Sequence, residues 1–282
     1  MFMPDLLKGR SVLVTGGGTG LGKAMGRRFM ELGAELMICG RREAMLAATA
    51  REFAREFGRE VRIHRLDLRE ADAVEGLMDA AFKERPLDIL VNNAAANFVA
   101  RTETLSARAL DAVVNITLHG TAYCTLAAGK RWIAQARPGV VLSIVTGAAS
   151  HGSPYIVPSA MAKAGVLAMT RSLAVEWGPR GIRCVAISPG AFPTPGAGAR
   201  LVPAGRAGAH GSNNPLGRAG RHDELADLAA FLVSDHAAYI NGDCITIDGG
   251  RWLKGAGTFS HLDTLSDAEW TAMRERGRGS AP

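Results

Sequence analysis

Short apolar runs rich in branched residues alternate with amphipathic stretches along the whole chain. No other feature restricts the fold as much. The runs are Val12-Leu13-Val14, Leu36-Met37-Ile38-Cys39, Val61-Arg62-Ile63-His64, Ile89-Leu90-Val91, Val140-Val141-Leu142-Ser143-Ile144, Cys184-Val185-Ala186-Ile187 and Cys244-Ile245-Thr246-Ile247. Several are almost continuously apolar, the pattern of strands buried on both faces of a parallel sheet. Between the first two, Leu21, Met25, Phe29 and Leu32 recur at helical spacing and Gly33 ends the helix. Similar amphipathic stretches cover about 42–57, 71–84, 106–134, 159–178 and 222–234. Repeated β-α units with right-handed crossovers predict one doubly wound α/β domain over 1–282. Its seven-stranded, mostly parallel sheet should carry helices on both faces. At 191–214 Ala, Gly and Pro dominate and periodicity stops, so this stretch is expected to be a mobile substrate lid. Residues 251–282 are read as a C-terminal extension.

Composition narrows the function classes. With 47% hydrophobic and 21% charged residues, the chain is neither disordered nor collagenous. No apolar stretch approaches the roughly 20 residues of a membrane span, and the N-terminus reaches a strand too soon for a signal peptide. Cys39, Cys124, Cys184 and Cys244 are far apart and form no C-x-x-C pair. They read as core residues of a reducing compartment, with no metal, and the expected location is cytoplasmic. The net charge of +6 comes from scattered basic residues without aromatic interleaving. That distribution argues for a small polyphosphate ligand and against nucleic acid.

Thr15-Gly16-Gly17-Gly18-Thr19-Gly20-Leu21-Gly22 joins the first strand to the first helix. Glycines there let the backbone approach a pyrophosphate, and the helix N-terminus offers free amides and a positive dipole end. This is the dinucleotide-binding turn of a Rossmann domain. The second strand ends Cys39-Gly40-Arg41-Arg42, with no acid to hold a ribose hydroxyl. Arginines at that place suit a 2′-phosphate, which favours NADPH over NADH.

These features, with Asn92-Asn93-Ala94-Ala95, Ser159-x-x-x-Lys163, Pro189-Gly190 and Asp248-Gly249-Gly250, resemble the short-chain dehydrogenase/reductase family over nearly the whole chain. The resemblance implies a homotetramer that transfers hydride to or from a nicotinamide. It assigns the phosphate turn to Gly16, Gly18, Thr19, Gly20 and Leu21, and the adenosine end to Arg41, Arg42, Asp67 and Leu68. Asn93 and Ala94 would support the central strand. Lys163 would hold the nicotinamide ribose, with Pro189, Gly190, Ala191, Phe192 and Thr194 along the nicotinamide and its phosphate. The resemblance also implies that Tyr239 to Trp252 pairs the last strand across a twofold axis.

The chain departs from the family at the catalytic positions. The tyrosine four residues before the lysine is replaced by Ser159, the usual serine by Thr146, and the usual helix asparagine by Thr117. A serine hydroxyl is far too weak an acid to stand in for that tyrosine, so alcohol or ketone chemistry is not expected. The 2,4-dienoyl-CoA reductase branch shares these losses, and the chain resembles it in Asn92 to Phe98, Val157 to Gly165, Ala174 to Gly178 and Gly217 to Gly250. By that resemblance Asn97 donates to the thioester oxygen, Ser159 places substrate or water, and Lys163 orients the ribose. Arg41, Arg69 and Arg200 would face the CoA phosphates, and Phe98 and Ser106 the substrate. One position fails: the tyrosine that assists the asparagine in mitochondrial members is Ala148, and the aspartate of peroxisomal members is Thr117. The proton donor is left open between Tyr155, His151 and a water held near Lys163. The rival readings are another acyl-CoA, enoyl-CoA or 3-oxoacyl thioester oxidoreductase, and a non-catalytic NADPH-binding protein.

Overall fold

In the computed structural model, residues 3–194 and 213–279 are described. Seven strands form one parallel sheet in the order β3-β2-β1-β4-β5-β6-β7. They are β1 (Ser11–Thr15), β2 (Glu35–Gly40), β3 (Arg62–Arg65), β4 (Ile89–Asn92), β5 (Gly139–Ile144), β6 (Ile182–Pro189) and β7 (Cys244–Ile247). The order reverses between β1 and β4, so the chain leaves a crevice at the carboxyl ends of these two strands.

The connecting helices are α1 (Gly20–Glu31), α2 (Glu43–Phe57), α3 (Ala71–Glu84), α4 (Ala107–Val114), α5 (Gly120–Ala134), the single turn α6 (Ala148–His151), α7 (Val157–Trp177) and α8 (His222–Val233). Beyond the sheet lie α9 (Arg251–Ala256) and α10 (Asp267–Gly279). Met25, Phe29, Leu46, Phe53 and Leu225 join Val12, Val14 and Ile38 in one core, which places α1, α2 and α8 on that face. Leu77, Met78, Cys124, Trp132 and Trp177 join Leu13, Leu90 and Val141 in the other, beneath α3, α5 and α7. Alternate residues of β1 and β4 thus feed opposite cores, as a sheet covered on both faces requires.

The seven strands and the α/β architecture match the sequence expectation. The stretch 106–134 differs, because it is not one helix. Between α4 and α5 a π turn spans Asn115–His119, where the Gly120 amide donates to the Asn115 carbonyl five residues back. Cys39, Cys124 and Cys184 are buried and Cys244 half-buried, all as free thiols. Desolvation raises the Cys39 thiol to about 12, so it stays protonated in the core. No helix among the described residues is long and apolar enough to cross a membrane.

Candidate functional site

At the crevice, β1 runs into α1 through a turn in which Gly16 and Gly20 take φ of +68° and +56°. L side chains rarely adopt that backbone, which explains glycine at these two places. Gly22 has a different reason: a Cβ there would lie 2.5 Å from Asn93 Nδ2 and 2.6 Å from the Gly16 carbonyl. Thr19 caps α1 without a side-chain bond, and no acid stands in the first turn. The helix therefore presents free amides and an uncompensated positive end, which fits a pyrophosphate. The Thr49 hydroxyl donates to the Gly18 carbonyl at 2.9 Å and fastens the turn to α2. Sequence reasoning missed that bond, since nothing in the pattern around Thr49 signals it.

The segment that follows β2 is basic. Arg42 reaches back to the Thr19 hydroxyl at 3.3 Å. Arg41 is exposed, has no ion-pair partner among the described residues, and helps to lower the Asp67 pKa. The larger cause is Arg69, whose guanidinium grips the Asp67 carboxylate at 2.6 and 3.0 Å. Arg69 is therefore held after β3 by Asp67 in this conformation. Leu68 is buried in the core against Gly120 at the start of α5.

At the chemical end, Thr15 is the hub that sequence reasoning did not single out. Its hydroxyl accepts from the Asn93 and Ala94 amides, both at 3.0 Å, and contacts the Val91 carbonyl at 3.3 Å. Asn93 Nδ2 donates to the Thr15 carbonyl at 2.9 Å and so ties the end of β4 to β1. The chain then turns through Ala96, Asn97 and Phe98. Asn97 Oδ1 accepts from the Phe98 amide at 2.9 Å. With its oxygen fixed, the Asn97 amide keeps Nδ2 as a donor with no partner among the described residues.

Opposite, α7 carries Ser159 and Lys163 one turn apart, and both are buried. Lys163 Nζ donates to the Ile144 carbonyl, one residue past the last β4–β5 pair, Asn92 with Ser143. Burial lowers the Lys163 pKa from 10.5 to about 8. Thr146 Oγ1 is buried without a partner, an oxygen that a bound ligand can satisfy. Ala148 is buried and offers no polar group.

The two side-chain candidates for proton donor sit farther out. Tyr155 is exposed with φ of +65°, strained for a side chain of its size, and its carbonyl accepts from the Ala100 amide at 3.0 Å. His151 ends the short α6, and its ring lies 5.6 Å from that of Trp252 on α9. A helical turn and a tryptophan thus fix His151, where the glycine on its C-terminal side suggests a loop.

The strip after β6 closes the crevice. Gly190 donates to the Ile247 carbonyl at 2.9 Å, and a Cβ on it would strike Asp248. The Ala191 carbonyl accepts from the Gly220 amide, and Phe192 packs on Gly220. Thr194 Cγ2 comes within 3.2 Å of where a Gly20 Cβ would be, so this strip and the phosphate turn face one another. Ser106 is an exposed N-cap of α4 that accepts from the Ala109 amide at 3.2 Å. Its expected substrate contact would have to share that hydroxyl. Arg200, and residues 195–212 of the lid expected over 191–214, lie outside the described residues.

The family model described as enoyl-(acyl carrier protein) reductase matches residues 16–251. A probable 2,4-dienoyl-CoA reductase, (2E)-enoyl-CoA-producing, of Bacillus subtilis (strain 168) is 44% identical over 247 residues, 86% of this chain and 97% of that one. The probable 2,4-dienoyl-CoA reductase 3, (3E)-enoyl-CoA-producing, of Caenorhabditis elegans is 44% identical over 277 residues, covering 93% and 89%. Among solved structures, one from Agrobacterium tumefaciens with NADP bound, described as a candidate 2-deoxy-d-gluconate 3-dehydrogenase, superposes with a TM-score of 0.80. It has 31% identity and covers 89% of this chain and 100% of that one. The chain is an oxidoreductase of the short-chain dehydrogenase/reductase family and belongs with its 2,4-dienoyl-CoA reductases.

Proposed function

We propose that this enzyme reduces 2,4-dienoyl-CoA thioesters to enoyl-CoA with NADPH, an auxiliary step in oxidising unsaturated acyl chains. One observation carries the reading. The site has a fixed amide donor, Asn97, and no tyrosine beside Lys163. Ketone reduction needs an acid for an alkoxide, whereas a conjugated thioester needs a donor for the oxygen where charge collects.

When bound, NADPH supplies the hydride that goes to the δ carbon. Asn97 Nδ2 donates to the thioester oxygen and stabilises the dienolate charge there. Ser159 sets the substrate or a water beside it, and Lys163 orients the ribose through its ammonium. Thr146 closes the pocket behind them with its unpaired hydroxyl. Arg41 and Arg42 meet the 2′-phosphate, Arg69 and Arg200 the CoA phosphates, and Phe98 and Ser106 the acyl part. The proton that ends on carbon is left among three candidate sources: Tyr155 and His151, which sit farther out, and a water near Lys163. The expected assembly is a homotetramer paired along Tyr239 to Trp252.

A second reading, reduction of an enoyl thioester, is favoured by the description of the matching family model. NADPH oxidation measured against dienoyl-, enoyl- and 3-oxoacyl-CoA esters separates the two. The dienoyl ester should turn over fastest and the 3-oxoacyl ester not at all; preference for the latter sinks the proposal. The two relatives differ in the double bond of their named products. NMR of the product therefore decides between the 2E and 3E enoyl-CoA.

With a dienoyl-CoA in single turnover, Asn97→Ala should slow reduction about a hundredfold or more, since it removes a donor aimed at developing charge. Ser159→Ala should cost only a positioning bond, about 0.5–1.5 kcal/mol. The reverse order would overturn the assigned roles.

A further inference from the structure

The π turn at Asn115–His119 offsets α4 from α5 by about 100° relative to an unbroken helix, the angle taken up by one extra residue. Thr117 lies at its centre and is fully enclosed. Its hydroxyl accepts from the Ala96 amide at 3.1 Å and makes a long contact of 3.5 Å with the Ala96 carbonyl. One hydroxyl has the lone pairs and the hydrogen to do both. The Thr117 carbonyl accepts from the Thr121 hydroxyl at 2.8 Å, so the turn is closed on itself as well. The residue after Ala96 is Asn97, whose side-chain oxygen is tied to the next amide, Phe98. Asn97 is thereby held from both sides: its backbone through Thr117 and Ala96, its side chain through Phe98.

We propose that Thr117 is a positioning residue, which acts through Ala96 to aim the Asn97 amide at the thioester oxygen. Its hydroxyl is engaged with the backbone and buried, so it is neither an acid nor a substrate contact. The role rests on the dienoyl-CoA reading. Loss of aim by an ångström or so is enough to cost on the order of a hundredfold in such a site.

The test compares Thr117→Val, which keeps volume and branching without the hydroxyl, with Thr117→Ser, which keeps the hydroxyl. In steady state with a dienoyl-CoA, Thr117→Val should lower kcat by about ten- to a hundredfold and leave the KM for NADPH nearly unchanged. Thr117→Ser should restore kcat to within about threefold of the parent. In an Asn97→Ala background, Thr117→Val should add almost no further loss, because there is nothing left to aim. Amide exchange over residues 94–98, measured with no substrate, should rise in Thr117→Val and stay protected in Thr117→Ser. Where Thr117→Val does not fold, Thr117→Ala takes its place in both backgrounds.

If the parent reduces no dienoyl-CoA while the exchange pattern holds, the functional reading fails and the pinning of Ala96 stands. Full activity in Thr117→Val overturns the proposal. So does an equal loss with and without Asn97, or a failed rescue by serine.

Discussion

An enclosed ammonium whose hydrogen-bond partner is a backbone carbonyl is costly, and Lys163 is such a group. In the folded chain it releases its proton near pH 8, in the unfolded chain near 10.5. Between these values the unfolded state holds the extra proton. Stability of the cofactor-free protein therefore climbs with pH across that window and gains nothing from this residue below it. Lys163→Met should raise stability at pH 7 by about 1–3 kcal/mol, flatten that climb, and abolish turnover. Urea unfolding at several pH values checks all but the last. Arg41→Ala belongs to the same scale. It removes a charge-assisted bond to a 2′-phosphate worth about 1.5–3 kcal/mol, so KM for NADPH should rise about ten- to a hundredfold while NADH is unaffected. Equal use of both cofactors by the parent would refute the premise. The identities of these residues were legible because Ser159-x-x-x-Lys163 and Arg41-Arg42 follow strands and open helices. Their surroundings were not: Ile144, which accepts from Lys163, and Trp252, which faces His151, meet the site only through the sheet and the C-terminal turn.

At the scale of elements, two glycines in the middle of helices separate propensity from packing. Gly76 of α3 is exposed and a Cβ there would touch nothing within 4 Å. Gly76→Ala should stabilise by about 0.5–1 kcal/mol. Gly129 of α5 faces the Trp177 ring, 2.3 Å from where its Cβ would be. Gly129→Ala should destabilise by about 1–3 kcal/mol, as the added methyl would overlap the buried indole. Opposite shifts in Tm are expected, and equal shifts would contradict the packing. The helices themselves were readable from their periods, and α2 and α3 end within a residue of the expected places. The π turn was not readable, because one inserted residue barely disturbs a period judged over 106–134. Its supports, Ala96 and Leu68, are distant in sequence, and a Cβ on Gly120 would come within 2.9 Å of Leu68.

For the whole molecule, the two rims of the sheet are unlike. The rim strand β3 carries Arg62 and Arg65, charges that discourage another strand from adding there. The opposite rim, β7, reads Cys-Ile-Thr-Ile with no charge, and Tyr239 just before it is fully exposed. A rim like that is expected to be covered by a second subunit, which agrees with the homotetramer inferred from the sequence. Light scattering at micromolar concentration should give four chains per particle, and a monomer would refute it. The bare β7 rim also governs the fate of subunits that come apart. Each would expose a short apolar template with open amides and carbonyls, able to capture any other extended chain. If the chain assembles as expected, dilution or subunit-separating substitutions should yield turbidity in place of dissolved single chains, and assembly would then serve as protection against aggregation.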